Sequence, residues 1–492
     1  MNQRDFIHAI SLTVACSPLT SHAAAAGKDP DKLPNIIYIL ADDLGIGDVH
    51  AFNPGSKIAT PNIDGLAKEG RRFTDAHSGS AVCSPTRYGI LTGRYCWRTE
   101  LKAGVQTHSS NCLIEPDRVT VPSLLKSQGY ETACIGKWHL GLEQRGTKVN
   151  YRKDISFGPN QVGFDYAFYA ECTPSLKVKG NHVFDGGIDP AIATSEQLGS
   201  TWIENGKVMP ECLRSWKQNE VGPTITRKAL EVIDRHVQSK TDKPLFMYLA
   251  LSAVHNPVAP AEFCKGKSGI GEYGDFVCEV DWTVGEVLKA LAKNKMVDNT
   301  LVIFTSDNGA DKGGVKANLE KLGHQVSYIY RGGKADIYEG GHRIPFIARW
   351  PGKVKPGSSS DEVICLNDLL ATCAALTGAK LPANAGEDSD NILPALLGNK
   401  TQHPIREATV HHSLFGAFAI RQGPWKLILS PDSGGWSAPK PGTAKGLPPV
   451  QLYDLKNDIA EKTNLQDKHP EIVKQLTELL EKYKSEGRST RR

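Results

Sequence analysis

Short runs of apolar residues, each followed directly by charged or polar residues, constrain the fold of this 492-residue chain most strongly. Runs of this length, rich in Ile, Val, Leu and Tyr, are typical of strands buried in a parallel sheet. Segments with helical spacing lie between them, such as 227–236 (RKALEVIDRH) and 284–291 (VGEVLKAL), so the pattern predicts βαβ units. The apolar runs are 35–40 (NIIYIL), 132–135 (TACI), 245–251 (LFMYLAL) and 301–305 (LVIFT).

The polar residues that follow these runs are predicted to meet in one cleft. The carboxyl ends of parallel strands lie at the same edge of a sheet, and ligands bind beyond that edge. Taken alone, each polar group is explained equally well as a strand-end turn or a helix cap. The residues concerned are Asp42, Asp43, Lys137, His139, His255, Asp307 and Asn308.

The acidic members of this set indicate a metal site. Asp42, Asp43, Asp307 and Asn308 offer hard oxygen donors and no imidazole or thiolate. Such a set suits one Ca²⁺ or Mg²⁺ ion and not zinc. Calcium is the expected ion for a protein outside the cell.

The amino terminus resembles a secretory signal. Residues 1–26 contain a short charged lead, an apolar stretch and a run of small residues, with Asp5 and Pro18 as interruptions. Cys16 partly matches a lipoprotein processing site, but the usual Leu three positions earlier is missing, so plain cleavage is expected. No later window has the ~20 apolar residues of a transmembrane helix. These features predict an exported protein, periplasmic or extracellular, without a transmembrane segment.

Charge and cysteine content exclude some classes of partner and site. The chain has 58 basic and 54 acidic residues, a balance that does not favour nucleic acid as a partner. Of the 11 cysteines, ten remain after the predicted signal, and one or two disulfides are expected without an assignable pairing. The absence of a C-x-x-C pair argues against a thiolate zinc site.

The carboxyl-terminal part has a different composition. A loop-like stretch near 380–404 suggests a boundary between a catalytic domain, 33–400, and an α+β subdomain, 401–492. Residues 418–429 (FAIRQGPWKLIL) predict two short strands around a Gly-Pro turn. Residues 430–449, rich in Gly, Pro and Ser, predict a surface excursion, and Pro470 opens an amphipathic helix.

Residues 83–94 (CSPTRYGILTGR) predict a reactive helix start. Pro85 suits the first turn of a helix with Ser84 as its cap, which would leave Cys83 beside free backbone N–H groups that favour an anion. Arg87 lies one turn further on and can bind a negative group. A single cysteine in an exported chain is more often buried or in a disulfide.

Three motifs together resemble the type I sulfatases, the arylsulfatase family within the alkaline-phosphatase-like superfamily. They are CSPTRYGILTGR, NIIYILADDLGIGD from residue 35, and LYDLKNDIAEKTNL at 452–465. The resemblance covers most of the chain. It implies an α/β fold with a large mixed, mostly parallel sheet flanked by helices, plus a smaller C-terminal α+β domain. It also implies a calcium-dependent enzyme that hydrolyses an aryl or, more readily, a carbohydrate sulfate ester.

The resemblance further implies the roles of individual residues. Cys83 would be oxidised by a separate formylglycine-generating enzyme; one hydroxyl of the hydrated aldehyde would attack sulfur, and deprotonation of the other would eject sulfate. Arg87 would hold the hydrate, Lys137 and His139 would contact sulfate and nucleophile, and His255 and Lys334 would bind sulfate and assist the leaving oxygen. The residues matching the calcium ligands are Asp42, Asp43, Asp307 and Asn308.

Each of these residues also has an ordinary structural explanation. Lys137 suits a solvated strand end, Lys334 a Gly-rich turn, and both histidines a polar core. His342 departs from the aliphatic residue common in the family's G-G-x-R stretch, away from the predicted chemistry. Further substrate-pocket candidates lie in the variable loops 95–108, 145–182 and 311–331, and each is equally well explained as a surface residue: Arg98, His108, His182 and His324.

Two other functions fit the same pattern. A phosphonate monoester or phosphodiester hydrolase of the same superfamily shares the C-x-P-x-R chemistry. A non-catalytic carbohydrate-binding relative would keep the fold without the modification, although the complete set of site residues disfavours it.

Overall fold

Helices and strands alternate through most of the part of the chain that this computed structural model describes, residues 32–313 and 317–491. The predicted signal peptide, with Cys16, lies outside the described residues. The α-helices are α1 (Pro61–Glu69), α2 (Cys83–Thr92), α3 (Val121–Ser127), α4 (Ser195–Gly199), α5 (Val221–Gln238), α6 (Glu272–Lys293), α7 (Glu339–His342), α8 (Leu369–Thr377), α9 (Leu393–Leu397) and α10 (Pro470–Ser485). The strands are β1 (Asn35–Ala41), β2 (Arg71–Phe73), β3 (Ala76–His77), β4 (Glu131–Lys137), β5 (Tyr166–Ala170), β6 (Lys177–Val178), β7 (Asn181–His182), β8 (Asp185–Gly186), β9 (Trp202–Glu204), β10 (Lys207–Met209), β11 (Trp216–Lys217), β12 (Leu245–Ala250), β13 (Thr300–Ser306), β14 (Phe346–Arg349), β15 (Ser358–Ser360), β16 (Ile364–Cys365), β17 (Thr409–His412), β18 (Phe418–Gln422), β19 (Trp425–Ile428) and β20 (Gln451–Asp454).

Ten strands form one large mixed sheet in the order β10-β9-β5-β4-β12-β1-β13-β14-β2-β15. The four strands predicted from the apolar runs, β4, β12, β1 and β13, are neighbours at its centre and run parallel. The outer strands β9, β10 and β14 pair antiparallel, which makes the sheet mixed. The predicted fold class is therefore confirmed.

The central strands are buried on both faces. Every residue of β12 and β13 is shielded from solvent, as are all but the first residues of β1 and β4. Two groups of helices pack on the sheet: α6 contacts both α1 and α5, and α2, α3 and α8 contact one another. Coverage of both faces explains why the strands read as continuous apolar runs without alternation.

The C-terminal residues form a four-stranded antiparallel sheet, β17-β18-β19-β20, with α10 against it. Its apolar core joins Ile420 and Leu427 of the sheet to Leu476 and Leu480 of the helix. The predicted strand pair around Gly423-Pro424 and the helix from Pro470 are both present. Pro34–Arg492 is one compact unit, and the boundary near residue 400 remains a prediction about its organisation.

Two local predictions are wrong. The helix at CSPTR begins at Cys83, with Val82 before it, and Ser84 does not cap it. The Ser84 hydroxyl instead accepts a hydrogen bond from the Gln106 backbone N–H at 3.0 Å, which ties a neighbouring loop to the helix start.

The expected disulfides are also absent from the described residues, where all ten cysteines are free thiols. Cys134 lies in β4 and Cys373 in α8, and both are buried. A buried thiol packs as a small apolar side chain. Among the residues described, no helix is long and apolar enough to cross a bilayer.

Candidate active site

The predicted metal ligands meet at the ends of two paired strands. Asp42 and Asp43 follow β1, Asp307 and Asn308 follow β13, and the pairing of Ala41 with Ser306 brings both pairs to one level of the sheet. All four side chains are buried. The Asp43 backbone N–H donates to Asp307 Oδ1 at 3.2 Å, and Asn308 Nδ2 donates to Asp43 Oδ1 at 2.8 Å.

This oxygen cluster fits a hard divalent cation. Asp42 Oδ1 and Asn308 Oδ1 are buried acceptors to which no described residue donates a hydrogen bond. Burial and the adjacent Asp42 carboxylate raise the pKa of Asp307 well above its ordinary value, against the opposing effect of Arg87. Crowded carboxylate and amide oxygens of this kind are the ligands that Ca²⁺ and Mg²⁺ prefer.

Three basic side chains are bound to the same carboxylates. Lys137 Nζ donates to Asp42 Oδ2 at 2.6 Å, and Lys334 Nζ donates to Asp43 Oδ2 at 2.8 Å. Arg87 directs Nε and Nη2 to Asp307 Oδ2, at 3.1 and 2.7 Å. Burial lowers the pKa of each base, but the facing carboxylates outweigh it and raise the pKa of both lysines. All three bases therefore stay charged at neutral pH.

Cys83 lies at the first position of α2, where the opening turn leaves backbone N–H groups free. Its side chain is buried and interacts electrostatically with Arg87, Lys137 and Lys334. A negatively charged group at residue 83 would thus face three positive charges and the amino end of a helix.

Two neutral histidines complete the cluster. His139 Nε2 lies 3.0 Å from the Gln106 carbonyl oxygen, so it carries the proton and leaves a lone pair on Nδ1. His255 Nδ1 donates to the Asn256 carbonyl at 2.7 Å, which leaves a lone pair on Nε2. Burial, followed by Lys137, lowers the pKa of His139 well below its ordinary value; burial, followed by Lys334, lowers that of His255 to about 3.

Several site residues have a left-handed backbone conformation that non-glycine residues rarely adopt. The φ angles are 62° at Asp43, 57° at His139 and 77° at Ala335. Tertiary hydrogen bonds hold the last two, from the His139 N–H to the Glu171 carbonyl and from the Ala335 N–H to the Ala81 carbonyl. Such conformations concentrate at functional sites, where surrounding contacts compensate their strain.

A cavity of about 340 Å³ opens onto these groups. Cys83, His139, His255 and Lys334 line it, whereas Arg87 and Lys137 are completely buried. Its volume falls in the range of small-molecule sites.

The further pocket candidates divide into two pairs. His108 and His182 line the cavity. Arg98 does not; it donates to both oxygens of Asp388, each at 2.8 Å. His324 is also elsewhere, buried with Nε2 2.8 Å from Asp48 Oδ1. Arg98 also donates to the Tyr483 carbonyl at 2.9 Å, and His324 Nδ1 accepts a hydrogen bond from the Lys57 N–H at 3.2 Å. Both side chains therefore hold distant segments together.

Sequence reasoning missed other lining residues, notably Lys177, Glu196 and Trp436. Trp436 lies in the excursion predicted to be surface. The pair Gly434-Gly435 before it was the available signal, because adjacent glycines often mark a close approach of backbones.

A second cluster, His77, His342 and His411, has the composition of a metal site but not the geometry. The rings of His342 and His411 stack 3.7 Å apart at an angle of 7°. An ion lies in the plane of each imidazole that binds it, so two parallel rings cannot share one. Lys426 Nζ also lies 3.0 Å from His342 Nε2, and His342 Nδ1 lies 3.0 Å from His77 Nδ1. The cluster is a hydrogen-bonded joint with the C-terminal sheet, away from the candidate site.

Comparison with known proteins agrees with this architecture. Residues 34–379 match the family model described as Sulfatase. An N-acetylgalactosamine-6-O-sulfatase of Bacteroides thetaiotaomicron is 38% identical over 499 aligned residues, which cover 93% of this chain and 94% of that protein. Arylsulfatase A of Homo sapiens is 32% identical over 475 aligned residues, covering 93% and 89%.

A solved structure gives the same result. It comes from work on the metabolism of multiple glycosaminoglycans by Bacteroides thetaiotaomicron, is 36% identical, and superposes with a TM-score of 0.78 over 92% of this chain and 100% of that one. The family match spans most of the chain, and the resemblance predicted from the motifs is confirmed. The chain therefore belongs to the sulfatase family of enzymes.

Proposed function

We propose that this sulfatase hydrolyses a carbohydrate sulfate ester, with a formylglycine hydrate formed from Cys83 and one bound Ca²⁺. The observation that supports this most directly is the convergence of Cys83, three buried cations and two neutral imidazoles beside one cluster of buried oxygen ligands. That arrangement supplies the charge for an anionic sulfuryl group and acceptors for its protons.

Residue 83 would act as the nucleophile. A hydrated aldehyde at this position supplies one hydroxyl to attack sulfur and a second whose deprotonation releases sulfate, which a serine cannot do. Arg87, one helical turn away, would hold the hydrate through the charge it already shares with Asp307. The position of residue 83 at the start of α2 would favour the ionised form of the attacking hydroxyl.

The lysines would clamp the sulfuryl group. Lys334 lines the cavity and Lys137 lies beneath it. Both carry a proton at neutral pH, because their pKa values are raised by the carboxylates they contact. Fixed positive charges in a site shielded from water stabilise the charge that develops on the transferring group.

The histidines would handle protons. His139 has a buried Nδ1 to which no described residue donates a hydrogen bond, and it would accept the proton whose loss ejects sulfate. His255 is neutral, with its free lone pair on Nε2. His255 can donate a hydrogen bond from Nε2 only after that nitrogen takes up a proton. Lys334, which is already protonated, is therefore the better donor to the oxygen of the departing alcohol.

Asp42, Asp43, Asp307 and Asn308 would hold the calcium ion. Bound calcium would polarise a sulfate oxygen and help residue 83 ionise. Asn308 Oδ1 supports this assignment, because no described residue donates a hydrogen bond to this buried oxygen and a cation would satisfy it. Asp42 Oδ1 also receives no hydrogen bond from the described residues, but it lies 3.5 Å from Arg87 Nη2.

Maturation and export would precede activity. Cys83 would be converted by a formylglycine-generating enzyme, and residues 1–26 would direct export to the periplasm or the extracellular space. Sequencing the amino terminus of the mature protein tests the export, with a start near residue 27 expected.

The function is tested by sulfate release together with mass analysis. Peptides containing residue 83 should be lighter than the cysteine form, and the protein should desulfate N-acetylgalactosamine 6-sulfate faster than it cleaves an aryl phosphodiester. We choose this sugar because the bacterial relative is named as an N-acetylgalactosamine-6-O-sulfatase. A protein converted at residue 83 that cleaves only the phosphodiester would overturn the proposal in favour of a phosphonate or phosphodiester hydrolase.

A further inference from the structure

A tryptophan from the C-terminal half of the chain forms one wall of the cavity. Trp436 lines it with 45% of its surface exposed. The segment 432–437, which we name the Trp436 loop, leaves the antiparallel sheet after β19 to reach this position. A large aromatic face open to a binding cavity is informative, because most indole surface is buried unless it serves recognition.

One buried carboxylate holds the Trp436 loop. The backbone N–H groups of Trp436 and Ser437 both donate to Asp336 Oδ1, at 2.8 and 2.9 Å, and the Ser437 hydroxyl donates to Asp336 Oδ2 at 2.5 Å. Asp336 is only 1% exposed. A Cβ on Gly435 would lie 2.4 Å from the Ala335 carbonyl oxygen, so the loop rests directly on the backbone beside Asp336.

The same turn carries the sulfate-binding candidate Lys334. Lys334 is two residues before Asp336, and its Nζ is bound to Asp43. The Lys334 backbone N–H donates to the Ala310 carbonyl at 2.8 Å, which anchors the turn to the catalytic sheet. Asp336 therefore sets the position of the indole relative to the anion site.

Polar side chains also line the cavity. They are those of His108, Lys177, His182 and Glu196. A pyranose ring suits a cavity that offers both an aromatic and polar side chains, because its C–H face packs on an aromatic ring and its hydroxyl edge needs hydrogen bonds. A flat aryl or steroid group would offer these polar side chains few hydrogen bonds.

We propose that Trp436 is the platform for the sugar ring that bears the sulfate, and that Asp336 is its positioning residue. This inference rests on the proposed function and adds the residues that would select a pyranoside. The sulfate would reach Lys334 while the ring stacks on the indole.

The test compares Trp436→Ala and Trp436→Phe with Phe415→Ala as matched control. Phe415 is 58% exposed, and its backbone N–H donates to the Gly434 carbonyl, so it shares the loop contact without lining the cavity. With N-acetylgalactosamine 6-sulfate, Trp436→Ala should raise KM by about 5- to 10-fold with kcat within about twofold. Trp436→Phe should recover most of the loss. Inhibition by inorganic sulfate, which reports on the anion site alone, should not change.

The positioning role has its own pair of variants. Asp336→Ala should raise KM as Trp436→Ala does. Asp336→Asn keeps Oδ1 for the Trp436 and Ser437 N–H groups but puts its amide nitrogen opposite the Gly333 N–H, so it should recover part of the loss in KM. Thermal unfolding of each variant identifies any loss that is due to misfolding. The inference is overturned if Trp436→Ala leaves KM unchanged, if Phe415→Ala raises it equally, or if Asp336→Asn is no better than Asp336→Ala.

Failure of the proposed function would look different. If the wild-type protein releases no sulfate, calorimetric titration of N-acetylgalactosamine 6-sulfate into the Cys83→Ala protein measures binding without turnover. Binding that Trp436→Ala weakens by the same factor supports the platform even then. Equal binding with and without the indole ends the inference.

Discussion

The ammonium of Lys137 lies 2.6 Å from Asp42 Oδ2, and both side chains are completely shielded from solvent. Lys137 is the last residue of β4 and Asp42 directly follows β1, and β12 separates these two strands in the sheet. The ion pair therefore spans an intervening strand at the floor of the candidate site and ties the anion clamp to the metal ligands.

Breaking this pair should destabilise the fold. Lys137→Met leaves the Asp42 carboxylate buried without its ammonium, and we expect the free energy of unfolding to fall by about 3–5 kcal/mol. Denaturant titration of the variant and the wild type measures this change in the free energy of unfolding. The double variant Lys137→Met/Asp42→Asn should recover part of the loss; if it is less stable than the single variant by the full cost of a second deletion, the two side chains are not coupled.

Removing the sulfur of residue 83 should end turnover without harming the fold. Cys83→Ala is expected to lower kcat by at least about 10³-fold, as loss of a nucleophile does, with an unchanged thermal midpoint. Cys134→Ala, a buried thiol in β4 outside the cavity, is the matched control and should stay active. Sulfate release by Cys83→Ala near the wild-type rate would contradict the assigned role.

Metal content and rate should fall together when a candidate ligand is neutralised. Asp307→Asn keeps the shape of the side chain but removes a charge that would hold calcium, so elemental analysis should find less than one ion per chain and kcat should drop by about 10-fold or more. Asp281→Asn changes a buried carboxylate that binds the Asn62 and Ile63 N–H groups instead. Equal calcium in both variants would argue against Asp307 as a ligand.

Activity should not decline through the usual titration range of histidine. Burial and neighbouring lysines lower the pKa values of His139 and His255 below the ordinary value of about 6.5. Both imidazoles then stay neutral as the pH falls through 6.5, and a bound cation would lower the values further. The acidic limb of the kcat/KM profile is expected below pH 6; a midpoint at 6.5 that disappears in His139→Ala would disprove this.

Stability should fall with acid because of the histidine joint. Burial, followed by neighbouring charges, lowers the pKa values of His342 and His411 well below 6.5, so the unfolded chain binds more protons than the folded one in acid. The contribution of these histidines to the free energy of unfolding is therefore present in full above about pH 7. It decreases below pH 6.5, by about 1.4 kcal/mol per pH unit for each such proton.

His411→Phe isolates one of these protons. It keeps a ring stacked on His342 and should make the decrease between pH 6.5 and 5 shallower, measured by denaturant titration at each pH. His50→Gln changes a half-exposed histidine and serves as control. An identical slope in His411→Phe and wild type would mean that His411 does not take part.

The positions of site residues that lie in loops could not be predicted from the sequence. The strand-end residues were predicted because each follows its own apolar run, and the order of parallel strands then brings them to one edge. Arg98, His324 and Trp436 have no such local rule. Arg98 depends on Asp388, almost 300 positions later, and Trp436 depends on Asp336.

The sequence by itself determined the parallel central strands and the oxygen-rich and basic residues at their carboxyl ends, because continuous apolar runs separated by helical segments are typical of strands buried on both faces. It also determined the family, through the motifs at 35–48, 83–94 and 452–465. Only the tertiary structure decided which imidazole nitrogens carry protons, that the disulfides are absent from the described residues, and that an indole from the C-terminal half walls the cavity. Those outcomes depend on contacts between segments far apart in the chain, and their partners are set by how loops pack, for which no periodic signal exists.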